Sequence, residues 1–139
     1  MYEIDVSNLQ SDVAIDETRI AAWVRHVLEQ EGVAEAEISV ALLSDVEMKN
    51  LNETYRGEPS TTDVLSFLYD EFPLSGEIVI SPARVAHQAR EAGIPFETEL
   101  ATVLVHGVLH VLGYDHEGSK EEADAMWARQ SELVKALLT

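Results

Sequence analysis

The sequence predicts one α+β domain over residues 1–139: a mixed four-stranded sheet packed with about five helices, one of them apolar, histidine-bearing and in the core. Three observations predict it. Segments of alternating and helical periodicity follow in the order β-α-β-α-β-β-α-α-α, a mixture that places helices against a mixed sheet. A length of 139 residues suits a single core, since a chain of this size buries roughly two thirds of its unfolded surface. The most apolar run, residues 100–112, is too short to cross a bilayer at roughly 1.5 Å per residue and reads as a buried helix.

Each element has its own local signal. Residues 2–7 (YEIDVS) alternate as a first strand. Asp16 is an N-cap for a helix over 16–31, with Ile20, Trp23, Val24, Val27 and Leu28 on one face and Gly32 as its stop. Residues 37–43 (EISVALL) read as a second strand, and Ser44 with Glu47 as a capping box opening a helix that ends near Tyr55 and Gly57. Residues 62–69 and 77–81 form two further strands around the turn-prone DEFPLSG. Ser81-Pro82 starts the next helix and Gly93 ends it. Helices over 97–112 and 119–138 complete the chain, separated by Gly113. No repeat, low-complexity tract or Pro/Gly-rich linker divides it.

Composition narrows the chemistry. The chain contains no cysteine, which excludes disulfides, thiolate metal sites and cysteine nucleophiles and leaves histidines and carboxylates as metal ligands. The first residues, MYEIDVSNLQ, lack a basic segment followed by an apolar run, so a soluble, cytoplasmic protein without membrane attachment is expected. With 26 acidic against 9 basic residues and a net charge of −17, long-range electrostatics oppose non-specific binding to duplex nucleic acid, and no DNA partner is expected. A phosphate substrate held by a few local cations stays open.

The segment HGVLHVLGYDH (106–116) is the most informative in the chain. His106 and His110, at i and i+4, lie about 40° apart around a helix and project from one face. Gly113 can take the positive φ that ends a helix and turns the chain, so that His116 swings back toward the first two. Three imidazoles leave one tetrahedral position open for water, the arrangement of a catalytic zinc, on which water ionises at about pH 7. Two unpaired imidazoles on an otherwise apolar helix are costly unless something binds them. A metal-binding helix in the core, with one Zn2+ per chain, is the expectation; a hydrogen-bonded histidine cluster is the alternative. The spacing H-x3-H-x2-G-x2-H matches metzincin proteases, but Gly107 stands where those enzymes place their general-base glutamate.

These residues resemble the YbeY family of bacterial endoribonucleases. HGVLHVLGYDH carries the family's glycine after the first histidine, and LNETYRG (51–57), TDVLSF (62–67) and GEIVIS (76–81) match its upstream motifs in order and spacing. Glu77 stands where the family more often has aspartate, and LYDEFPLSG (68–76) departs from the proline that commonly follows TDVLSF. The resemblance implies a zinc-dependent, single-strand-specific endoribonuclease of 16S rRNA 3′-end maturation and ribosome quality control. Its implied partners are ribosomal RNA and the small subunit or its proteins. It also implies metal ligation by His106, His110 and His116, with His106 and Arg56 in the catalytic apparatus.

Arg56 suits phosphate because a guanidinium donates two parallel hydrogen bonds to it; a helix C-terminal dipole partner is its structural alternative. Asp63 and Asp115 are candidates to orient the histidines through hydrogen bonds, or else a strand-end cap and a turn residue. Glu77, His26 and His87 are read as surface or boundary residues. A peptidase-like hydrolase and a ribosome-assembly factor with structural zinc remain as other readings, the second favoured by an acidic surface that suits basic ribosomal proteins.

Overall fold

The structure is a computed structural model that describes every residue except Pro59. The elements are β1 (Tyr2–Asn8), α1 (Glu17–Gln30), β2 (Ala36–Leu42), α2 (Asp45–Arg56), β3 (Val64–Glu71), β4 (Leu74–Ile80), α3 (Pro82–Ala92), α4 (Phe96–Val111) and α5 (Lys120–Leu137). The strand order is β1-β2-β4-β3; β1 pairs with β2 and β2 with β4 in parallel, while β3 runs antiparallel to β4. This is the mixed α+β sheet that the sequence predicts. Among the described residues no helix is long and apolar enough to cross a membrane.

The caps hold the helices where the polar signals put them. Asp16, Ser44, Ser81 and Ser119 each accept a backbone N–H from the first turn of the following helix. The Ser44–Glu47 pair is half of the expected box: Ser44 Oγ accepts Glu47 N at 3.2 Å but donates to the Glu47 carboxylate at 3.0 Å. The reciprocal box forms instead at Ser119 and Glu122.

The largest departure from expectation is the β3–β4 hairpin. The turn-prone residues 70–76 reach further into both strands than the sequence indicates, with Asp70 paired to Ser75 and Glu71 to Leu74 around a turn at Phe72 and Pro73. Gly76, read as part of the turn, lies in β4 opposite α4. A Cβ there would stand 2.7 Å from Val111 Cγ1 and 2.9 Å from the Phe67 carbonyl oxygen, so the glycine admits the helix to the sheet.

The two sheet faces are unequal. Ile38, Val40, Leu42, Ile78 and Ile80 face a core shared with α1, α3, α4 and α5. Met48 of α2 packs with Leu65 and Val79 on the opposite face, in a much smaller cluster. Alternation along β3 therefore sends Val64 toward α4, and Leu65 and Phe67 toward α2. Helix α4 runs through the large core, with Leu104, Val105, Val108 and Leu109 buried. The edge strand β3 lies between the helix that carries two histidines and the helix that ends in Arg56.

Candidate metal centre

His106 and His110 project from one side of α4, their ring centroids 5.8 Å apart. The helix then stops in a Schellman motif: Gly113, at φ +104°, donates to the His110 carbonyl at 3.1 Å and Tyr114 to the Leu109 carbonyl at 3.0 Å. Two anchors hold the returning loop. The Tyr114 hydroxyl donates to Glu31, which is also paired with Arg129 of α5 at 3.0 Å, and the Asp115 carboxylate accepts Glu117 N at 2.8 Å. His116 is thereby brought to 4.9 Å from His106 and 5.4 Å from His110, ring to ring. One ligand atom from each of the three lies within 4.8 Å of the others.

The surroundings favour neutral, ligand-ready rings. Burial pushes the His106 and His110 imidazoles below their ordinary pKa, and the neighbouring histidines push the same way. His106 Nδ1 lies 2.9 Å from Gln130 Oε1; donation from Nδ1 to that acceptor leaves the lone pair on Nε2. His116 Nδ1 is buried with no hydrogen-bond partner among the described residues. Three imidazoles, one of them with an orphaned buried nitrogen, form a donor set that fits a divalent transition metal. Trp127 of α5 stacks on His106 at 5.5 Å and 24° and leans on His116 at 5.9 Å.

The three rings line a cavity of about 510 Å3 with Tyr55, Arg56, Asp63, Glu99, Thr102 and Trp127 among its other walls. Arg56 is the last residue of α2, followed by Gly57 in the left-handed conformation. It lies both where a helix dipole favours a cation and on the cavity wall, close enough for its charge to lower the His110 pKa. Asp63 lines the same cavity. Its backbone carbonyl accepts Ser81 N at 3.0 Å, and its carboxylate acts on His106 through charge, with no hydrogen bond to a histidine among the described residues. Asp115 makes the turn bond to Glu117 described above and likewise acts on His110 only through its charge.

Outside the cavity, Glu77 is half-buried and accepts the Tyr69 hydroxyl at 2.9 Å. His87 is exposed and pairs with Glu91, and His26 is half-buried on α1. Gln130, Trp127 and Glu99 escape a reading of the sequence. Burial and the charge of Asp63 raise the Glu99 pKa. Gln130 and Trp127 lie on the amphipathic α5 and carry no motif; only the packing of α5 against α4 brings them to the rings.

Gly107 has a structural cause. A Cβ there would stand 2.9 Å from Ile78 Cγ2 and 3.3 Å from Val64 Cγ2, so α4 lies too close to the sheet for a side chain. The glutamate that a metzincin carries at this position has no room.

Comparison with known proteins agrees with this geometry. The sequence profile of the family described as Endoribonuclease YbeY matches residues 5–138. An Endoribonuclease YbeY of Persephonella marina is 37% identical over 141 residues, covering 97% of this chain and 92% of that protein. Its counterpart in Pelotomaculum thermopropionicum is 41% identical over 145 residues, covering 95% of each. The solution structure of TM1509 from Thermotoga maritima superposes with a TM-score of 0.70 at 31% identity, covering 99% of this chain and 89% of that one. A profile match over nearly the whole length, joined to relatives of this similarity and coverage, settles the kinship: the chain belongs to the YbeY endoribonuclease family.

Proposed function

We propose that this protein is a cytoplasmic, zinc-dependent endoribonuclease that cuts single-stranded RNA, acting on the 3′ end of 16S rRNA and in ribosome quality control. Membership of the family supports the RNA substrate. The single observation that carries the metal chemistry is the convergence of His106, His110 and His116 at the wall of one cavity. One zinc per chain, held by these three, would supply a Lewis acid for a phosphoryl oxygen and a water of lowered pKa.

The chain's own residues then divide the work. Gln130 holds the His106 ring in one tautomer and one orientation. Arg56 donates paired hydrogen bonds to the non-bridging oxygens of the phosphodiester, where negative charge accumulates. The Schellman turn and the Tyr114–Glu31–Arg129 bonds fix the loop that carries His116. Peptidase chemistry of the metzincin type is disfavoured, because the close packing of Gly107 excludes the glutamate it needs. Small-subunit proteins are the proposed docking partners, their basic surfaces complementing a chain of net charge −17.

The test is a panel of single-stranded RNA, duplex RNA, single-stranded DNA and peptides, assayed on one preparation during stepwise chelation. The expected result is cleavage of single-stranded RNA alone, at a rate proportional to zinc per chain and restored by zinc. Cleavage that persists in metal-free protein, or no RNA cleavage at one zinc per chain, overturns the reading.

A further inference from the structure

The cavity has an electrostatic peculiarity. Among the described residues Arg56 is its sole arginine or lysine, and the carboxylates of Asp63 and Glu99 share its walls. The chain as a whole carries −17. Proteins that grip nucleic acid through the backbone do so with many cations, each phosphate contact adding a salt-sensitive increment. The described residues of this cleft form no such array, so beyond Arg56 and the proposed metal a bound polynucleotide draws its affinity from its bases.

The aromatic side chains of the cleft are arranged for that. Trp23 is 8% exposed in the core, whereas Trp127 is 46% exposed, with one face on the His106 ring. Tyr55 is 65% exposed and meets Phe67 edge-on at 5.3 Å. Both line the same cavity, from different sides of the open edge strand. Phe67 belongs to the α2 face of β3, and His106 to α4 on the other. Arg56 follows Tyr55 directly at the end of α2.

We propose that Trp127 and Tyr55 are base-stacking platforms that seat two unpaired bases across the edge of β3, and so position the intervening backbone between Arg56 and the three histidines. This rests on the endoribonuclease reading and specifies how its substrate is held. Stacking needs bases free of a partner strand and tolerates any base, since each has a π-face. The cleft therefore selects unpaired strands by shape and stacking, with little demand on sequence. Only one or two phosphate contacts contribute, so binding is weakly salt-dependent.

The test uses the zinc-loaded full chain with a 2′-O-methyl heptanucleotide, verified to stay intact over the titration, and the same backbone carrying abasic residues. The base-bearing strand is expected to bind at least about ten-fold more tightly and to quench the fluorescence of Trp127, the exposed one of the two tryptophans. Trp127→Ala lowers affinity for the base-bearing strand about 5- to 150-fold, leaves abasic binding unchanged and keeps one zinc per chain; Trp127→Phe restores most of the loss. Tyr55→Ala, whose ring packs on Phe67 rather than on the histidines, gives a loss of the same kind. Equal affinity for the two strands, or absence of quenching, overturns the proposal. So does loss of zinc in Trp127→Ala with no effect of Tyr55→Ala, which would make Trp127 only a shield for the ligands. Cleavage of the unmodified RNA by the same preparation separates the two ideas: cleavage together with equal affinity for the base-bearing and abasic strands sinks the stacking clamp alone, whereas neither cleavage nor binding sinks both.

Discussion

Helices α4 and α2 both deliver functional groups to one cavity, yet they are built in opposite ways. α4 buries nine of its sixteen residues and touches the sheet so closely that Gly107 and Gly76 tolerate no side chain. α2 buries two of its twelve, Met48 and Asn52, on a small secondary core. Two of the three proposed ligands, which must meet one cation within a few tenths of an ångström, sit on the element that packing holds fixed. The arginine proposed to meet a flexible phosphate ends a helix on the surface, where a long side chain can follow its target. Changes on α4 should therefore act through metal and stability, and changes on α2 through substrate alone.

His110→Ala should break that division most severely: zinc falls well below one per chain and chelator-sensitive cleavage disappears. Full zinc in this variant removes His110 from the ligand set. Arg56→Ala should keep its zinc and its melting temperature while kcat/KM falls about 10- to 100-fold, the worth of a charge-assisted hydrogen bond to phosphate. An unchanged rate ends its proposed role. Gln130→Leu fills the same space without the acceptor for His106 Nδ1, and zinc affinity should drop about 10- to 100-fold in a competition titration.

Gly107→Ala tests the packing half of the comparison. Its methyl group must displace Ile78 or Val64, so denaturant unfolding should show about 1–3 kcal/mol of lost stability. Lys49→Ala on the exposed side of α2 should stay within about 0.5 kcal/mol of the parent. Equal effects would mean that the two helices are not differently constrained.

The smallest effect concerns protons. His106 and His110 have folded pKa values below the ordinary 6.5, so in the metal-free protein the unfolded chain binds more protons as pH falls through that value. Stability is then fully kept above pH 6.5 and lost progressively as pH falls from there toward the folded values. Replacing both rings by glutamine should flatten the fall in melting temperature as the pH drops below about 6.5; an identical slope in parent and variant contradicts the assignment.

Much of this was legible in the residues, because the signals involved are local. Caps at Asp16, Ser44 and Ser81, and the i, i+4 histidines with a glycine beyond, need only neighbours in sequence to be read. The hairpin ends were misjudged because Gly76 signals a turn in sequence but serves a long-range contact with Val111. Gln130, Trp127 and Glu99 were missed for the same reason. Gln130 stands 24 positions from the histidine it touches, and no periodicity on α5 marks which polar residue on its inner face meets a ring. Glu99 lies on the same helix as His106 and His110, but its place on the cavity wall depends on β3 opposite.

The convergence of three imidazoles on one cation is tested most directly by X-ray absorption at the zinc edge on protein loaded to one equivalent. The account predicts three histidine nitrogens at about 2.0–2.1 Å plus one oxygen scatterer, with the histidine signal reduced by one ring in His116→Ala. A six-oxygen shell, or a spectrum unchanged in that variant, would contradict it.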